Sequence, residues 1–324
     1  MKKSIASNLT IKFLLIAASL FIASSASAES RKAILVTGAS SGLGERMTEV
    51  LSTNGFFVYA TARKEADLKR LNEMPNVEAV KLDVLDQAQI DLAVEQVKKG
   101  GRGLYGLINN AGVAVFGPLI ETPPEQLEYQ LQVNVLGPYR VLQAFAPMII
   151  ESKGRITTTG SIAGTIASPI YGIYAMSKHA IEAYTDSLAG EMAKFGVAVS
   201  VIEPGNYASQ IGNTAKKRIE DSNYWPEEGL YEQERQATLV GLSKVLDGAD
   251  PLPVAQAALH FMQSAQPKRR YMVVATERQA QATLRSNMRR LLEQNQSQNF
   301  SYSTEELNEI FIQEVEKLSA EGAE

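Results

Sequence analysis

The sequence contains no cysteine. That excludes disulfides, thiolate metal sites and cysteine nucleophiles. With only two histidines, a histidine-rich metal centre is excluded as well, and no metal site is expected. Basic residues are not in excess: 32 lysines and arginines stand against 36 acids, for a net charge of −4. Nothing in that balance points to nucleic acid. A long hydrophobic run is missing too. The stretch FLLIAASLFIA covers 11 residues, short of the about 20 needed to span a bilayer.

The 324 residues are 45% hydrophobic and 21% charged, enough to build a sizeable core in one large α/β domain or two smaller ones. The N-terminus differs from the rest. Lys2, Lys3 and Lys12 precede the short apolar run, and Ala26-Ser27-Ala28 follows it. This order of basic, apolar and small residues is that of a secretory leader over residues 1–28. It predicts export to the periplasm. An uncleaved membrane anchor or a true start near residue 30 are the other readings. The leader carries no twin-arginine pair, so export in the folded, cofactor-loaded form is not indicated.

From residue 31 the sequence alternates between two periods. Short apolar runs (KAILVTG, FFVYATA, VEAVKLDV, LYGLINNAG, GRITTTGS, VAVSVIEPG, RRYMVVA) read as strands. Helical spacing lies between them, including long segments at about 124–150 and 173–194. This alternation predicts an α/β fold of the doubly wound, Rossmann type: a parallel sheet with helices on both faces. The domain is expected over 31–275, with the charged helical stretches of 276–324 as a C-terminal extension, either a solvated tail or a contact with a partner. The segment 206–250, with Tyr224, Trp225 and Tyr231 among charges, breaks the rhythm and is expected to lie outside the sheet.

The first strand runs into TGASSGLG, with Thr37, Gly38, Gly42 and Gly44 just before a helix. Glycines let the backbone approach a pyrophosphate, and the helix start supplies free N–H groups and a positive dipole end. The G-x-G-x-x-G fingerprint is not met, because Ser40 stands at its second glycine. At the end of the second strand come Arg63 and Lys64, with no acid between Tyr59 and Lys64. A carboxylate there would bind the ribose 2′-hydroxyl of NAD, whereas a guanidinium can grip a 2′-phosphate. NADP(H) is therefore preferred, with NAD possible; a surface charge at a helix start is the plain reading of Arg63. Asp83 is a candidate for the adenine amino group or for a turn.

In SPIYGIYAMSKHAIEAY, Tyr171, Tyr174 and Tyr184 crowd Lys178. Only i+3 and i+4 neighbours share a helix face, which singles out Tyr174. A phenol near pKa 10 is a poor base at neutral pH. An ammonium at about 4 Å would favour phenolate by roughly 4 kcal/mol, about three pKa units at most. Ser161 follows a strand at the sheet's carboxyl edge, where its hydroxyl could meet a substrate carbonyl. Asn134 is a poor residue for a helix interior, and its amide is expected either to hold a backbone group or water, or to face solvent. His179 points away from Lys178 and is read as structural.

TGASSGLG, NNAG (109–112), Asn134, Ser161, YAMSK (174–178) and PG (204–205) resemble, in order and spacing, the short-chain dehydrogenase/reductase family, nearest its steroid and retinol dehydrogenase branch. The resemblance spans residues 32–210. It implies that Tyr174 is general acid or base, that Lys178 lowers its pKa and binds the nicotinamide ribose, that Ser161 orients the carbonyl, and that Asn134 supports a relay water. It also implies cofactor contacts from Thr37, Gly38, Ser40, Ser41, Gly42, Leu43, Gly44, Arg63, Asp83, Val84, Asn110, Ala111, Gly112, Pro204 and Gly205. The family often has threonine where Ser209 stands. The expected activity is NADP(H)-dependent alcohol–carbonyl interconversion on a hydrophobic small molecule, by a homo-oligomer (dimer or tetramer). A non-catalytic dinucleotide-binding protein and an epimerase or dehydratase on the same fold are the alternatives.

Overall fold

The computed structural model describes residues 31–321; the expected leader lies outside them. Seven strands form one parallel sheet: β1 (Ala33–Val36), β2 (Phe57–Ala62), β3 (Val77–Lys81), β4 (Gly106–Asn109), β5 (Arg155–Thr159), β6 (Ala198–Pro204) and β7 (Arg270–Val273), in the order β3-β2-β1-β4-β5-β6-β7. Strands such as AILV are buried along their whole length. They read as unbroken apolar runs because helices cover both faces. The order reverses between β1 and β4, which opens a crevice at the carboxyl edge.

The helices that follow these strands are α1 (Gly42–Thr53), α2 (Glu65–Leu71), α3 (Gln87–Lys99), α4 (Pro124–Leu131), α5 (Gly137–Glu151) and α6 (Gly172–Ala193). Asp86 caps α3 by accepting from the Gln89 amide at 3.2 Å, a side-chain bond that satisfies one otherwise orphaned N–H. Val97 of α3, Phe145 of α5 and Met192 of α6 share one core with the sheet. On the opposite face Met47 and Leu51 of α1 pack with Val254 and Phe261 of α9 (Leu252–Gln263).

The helical reading of 124–150 holds, with one difference. Between α4 and α5 the chain widens into a π-helical turn, Gln132–Leu136, that carries Asn134. Such turns concentrate at functional sites. Residues 206–250 do lie outside the sheet, as α7 (Ile211–Ser222) and α8 (Glu232–Ser243). They form a lid with its own small core: Trp225 and Tyr224 are buried, the Tyr224 hydroxyl donates to the Phe116 carbonyl at 2.8 Å, and buried Arg235 donates to the Trp225 carbonyl at 2.9 Å. Beyond β7 come α10 (Glu277–Gln296) and α11 (Thr304–Glu321).

Candidate active site

The crevice is a cleft of about 730 Å³. Most of the residues singled out above line it: Gly38, Ser40, Ser41, Leu43 and Gly44 of the first turn; Arg63, Asp83 and Val84; Asn110, Ala111 and Gly112; Ser161, Tyr174 and Lys178; and Pro204 with Gly205. Thr37, Gly42 and Asn134 stand behind the wall.

The glycine turn needs its glycines for two reasons. Gly38 has φ +66, a backbone that L side chains rarely adopt. At Gly44 a Cβ would stand 2.5 Å from Asn110 Nδ2 and closer still to the Gly38 carbonyl oxygen. The turn is tied to the NNAG segment. The Thr37 hydroxyl accepts from the Asn110 and Ala111 amides at 2.9 and 3.0 Å. Asn110 Nδ2 in return donates to the Thr37 and Gly38 carbonyls at 3.0 and 3.1 Å.

Arg63 is largely exposed on the cleft wall, 3.6 Å from Asp83. Asp83 also accepts from the Leu85 amide at 3.0 Å, so the turn role considered for it is realised beside the pairing with Arg63.

At the other end, Tyr171 precedes α6, while Tyr174 and Lys178 share its cleft face. Ser161 accepts from the Ala163 amide at 3.1 Å, capping the 3₁₀ turn Ile162–Gly164, and lines the same cleft as the Tyr174 phenol. Tyr184 lies apart, packed against the core on the α5 face. His179 is structural: Nδ1 lies 2.9 Å from the Ala175 carbonyl.

The electrostatics depart from the expectation for the phenol. Burial raises the Tyr174 pKa above its ordinary value of 10; the Ser161 hydroxyl opposes that rise and Tyr171 adds to it. Lys178 Nζ donates to the Thr159 carbonyl at 2.7 Å and lies 5.7 Å from the Tyr174 ring centre. Lys178 itself is brought down to about 8 by burial, with Glu182 opposing.

The partners of Asn134 and several further supporting residues were not visible in the sequence. Asn134 Oδ1 accepts from the Val113 amide at 2.9 Å, and its Nδ2 donates to the Val113 carbonyl at 3.0 Å and to Ser177 Oγ at 3.2 Å. Of the possibilities for this amide, the structure shows the backbone group. Gln130, wholly buried, spans the same gap: it accepts from the Val115 amide at 2.7 Å and donates to Ser177 at 3.2 Å. Ser177 donates to the Tyr174 carbonyl at 2.7 Å. Two buried acids, Glu182 of α6 and Glu203 of β6, meet Arg270 of β7 at 3.1 and 3.6 Å. Burial raises both carboxyls above their ordinary range, Glu203 to about 7 with the help of its neighbour's charge.

The 206–240 segment lines the cleft through Tyr207 and Ile211. Trp225 and Tyr224 face their own core. The rest of the apolar wall comes from Phe116, Ile166, Tyr171, Leu242 and Val245.

Fold and cleft together define a doubly wound α/β protein whose site sits at the sheet's switch point. The chain belongs to the short-chain dehydrogenase family: the model described as "short chain dehydrogenase" matches residues 32–220. It is 35% identical over 208 residues to mitochondrial D-beta-hydroxybutyrate dehydrogenase of Mus musculus, 61% of each chain, so it spans about three fifths of that relative's length. It is 31% identical over 305 residues to the NADPH-dependent 3-dehydrocapnine reductase of Ornithobacterium rhinotracheale, 89% of this chain and 99% of the relative. The crystal structure of a short-chain dehydrogenase from Streptomyces avermitilis superposes with TM-score 0.66 at 25% identity, covering 90% of this chain and 98% of that one.

Proposed function

We propose that the protein is an NADP(H)-dependent oxidoreductase that interconverts an alcohol and a carbonyl on a hydrophobic small molecule. The observation that carries this is the meeting of Ser161, Tyr174 and Lys178 in one cleft with an apolar wall. A nicotinamide dinucleotide bound there would supply or accept the hydride. The residues present fit such a group: the turn at Gly38 and Gly44 is free of Cβ atoms where backbone approaches backbone, and the start of α1 opens into the cleft.

Each side chain then has a proton or a contact to manage. Ser161 donates to the substrate oxygen and stabilises its developing charge. Tyr174 Oη gives its proton to that oxygen in reduction and takes one back in oxidation. Its raised pKa keeps the proton in place for reduction at neutral pH. Lys178, held by the Thr159 carbonyl, holds positive charge behind the phenol. Phe116 and Tyr171, with ring centres 4.6 Å apart, flank the substrate and exclude water from the reacting oxygen.

Preference for NADP(H) is supported by Arg63 on the cleft wall and by the absence of an acid at the end of β2. The Ornithobacterium relative's name points the same way. The test has two arms. Tyr174→Phe removes the transferable proton alone, so turnover of a carbonyl panel followed at 340 nm should fall by about 100-fold or more while NADPH still quenches protein fluorescence. Near-normal turnover would refute the assignment. Arg63→Glu should shift the ratio of kcat/KM for NADPH over NADH by about tenfold or more toward NADH; an unchanged ratio removes Arg63 from 2′-phosphate recognition.

A further inference from the structure

The extension beyond β7 leaves an unusual surface. Eleven large apolar side chains between Leu284 and Leu318 are exposed. On α10, Leu284, Met288 and Leu291 follow i, i+4, i+7 spacing and form one stripe. On α11, Phe311, Val315 and Leu318 do the same. α10 is anchored to the domain on another side: Thr283 is buried and Arg290 approaches His179 at 3.4 Å. α11 has no comparable anchor. Across 304–320 only Leu307 is even partly covered. A lone helix of this length is marginal in water, and its apolar stripe calls for a cover.

Charge indicates what the cover is. Four arginines against two glutamates give α10 a net charge of +2, whereas five glutamates against one lysine give 304–320 a net charge of −4. Among the described residues, Arg278, Arg285 and Arg289 form no ion pair within the chain, nor do Glu305, Glu309 and Glu316. The two helices also match in length, 20 and 18 residues, about 30 and 27 Å. They do not pack along each other. Instead the Asn295 side chain pins the connecting loop by bonds at 2.9 Å to both backbone groups of Tyr302, holding α11 away from its own α10. An acidic helix is also a poor match for an anionic lipid surface.

We propose that α11 of one chain lies along α10 of a second copy of this chain, and the reverse, about a two-fold axis. Such an isologous contact brings each basic helix against an acidic one twice over. At roughly 100 Å² for each exposed apolar side chain, the six on the two stripes offer about 600 Å² per chain and all eleven about 1,000 Å², against the about 800 Å² per partner of a stable interface.

Sedimentation velocity of the full chain tests this with paired charge reversals. One variant carries Arg285→Glu and Arg289→Glu; the other carries Glu309→Lys, Glu314→Lys and Glu316→Lys. Each alone places like charges across both contacts and should halve the assembly mass at unchanged circular dichroism. An equimolar mixture restores opposite charges at both contacts and should return the wild-type mass. Phe311→Asp with Leu318→Asp should halve the mass under all mixing conditions. Reversed variants that keep the wild-type mass overturn the proposal, and so does a halved mass that mixing leaves halved. Loss of the extension's exposure to protease only on adding phosphatidylcholine vesicles, with no change in mass among the variants, overturns it in favour of a lipid cover.

Discussion

Lys178→Met should make the protein more stable at neutral pH and nearly inactive. Lys178 is 7% exposed, and burial brings its pKa from the ordinary 10.5 to about 8. Below pH 8 both folded and unfolded chains hold the proton, so the fold carries a charge it disfavours. That gap corresponds to about 3 kcal/mol. As pH rises from 8 to 10.5 the folded chain releases the proton while the unfolded chain still holds it, and the penalty fades. Methionine removes the charge and keeps an unbranched side chain of similar length. It also removes the donor that meets the Thr159 carbonyl at 2.7 Å, and a buried acceptor left short is worth about 1–2 kcal/mol. The balance at pH 7 is a gain of about 1–2 kcal/mol, or about 2–6 °C in melting temperature for a domain of this size. Thermal unfolding followed by circular dichroism at pH 7 and pH 10, without cofactor, reads it directly. The variant should melt higher at pH 7 and lose that advantage at pH 10. A variant that melts lower at pH 7 would show that the lysine is not held against its charge.

Gly44→Ala should abolish the NADPH fluorescence response and lower stability by about 1–3 kcal/mol, because the new methyl group collides with Asn110 and the Gly38 carbonyl; an alanine variant that still titrates with NADPH would dismiss the close-approach argument. Glu203→Gln should raise the melting temperature at pH 8 and not at pH 4.5: the folded carboxyl titrates at about 7, above the ordinary 4.5, so the native acid loses stability as pH rises through that window whereas the amide does not. An equal advantage at both pH values would place the effect elsewhere.

The parts of this site that could be read from sequence are those whose partners are close in the chain. Tyr174 and Lys178 lie one helical turn apart, and the glycine turn joins one strand to the next helix. Gln130 and Ser177 are 47 positions apart, and Glu182 and Arg270 are 88 apart. Neither pair leaves a periodic or spacing signal. Asn134 announced itself by poor helix propensity, but its partner at Val113 depends on how the π-helical turn faces β4. The strands were legible because a doubly covered sheet demands unbroken apolar runs. Helix α9 carries a 3.6-residue stripe, with Val254, Ala255, Ala258, Phe261 and Met262 buried against α1 and the sheet and Gln256, His260 and Gln263 exposed. Tyr207 and Trp225 lie in the same aromatic stretch, and composition alone cannot separate the one that lines the cleft from the one that fills a satellite core.

The two ends of the cleft are joined by one run of hydrogen bonds. Lys178 Nζ donates to the Thr159 carbonyl at 2.7 Å. The Thr159 hydroxyl donates to Asn110 Oδ1 at 3.2 Å, and Asn110 Nδ2 donates to the Gly38 carbonyl at 3.1 Å. The strands that supply these groups are neighbours in register: Val36 beside Ile108 and Asn109 beside Thr158. Parallel pairing thus brings the ends of β1, β4 and β5 to one edge, where each contributes one polar group to the same run. The turn proposed to hold phosphate and the lysine proposed to stand behind the phenol are therefore positioned by the same two residues, Asn110 through its side chain and Thr159 through its hydroxyl and main-chain carbonyl. Neither end can be moved without pulling on the other. The packed sheet beneath leaves that edge little freedom to adjust, and the geometry proposed for hydride and proton transfer is built into the strand register rather than into any single loop.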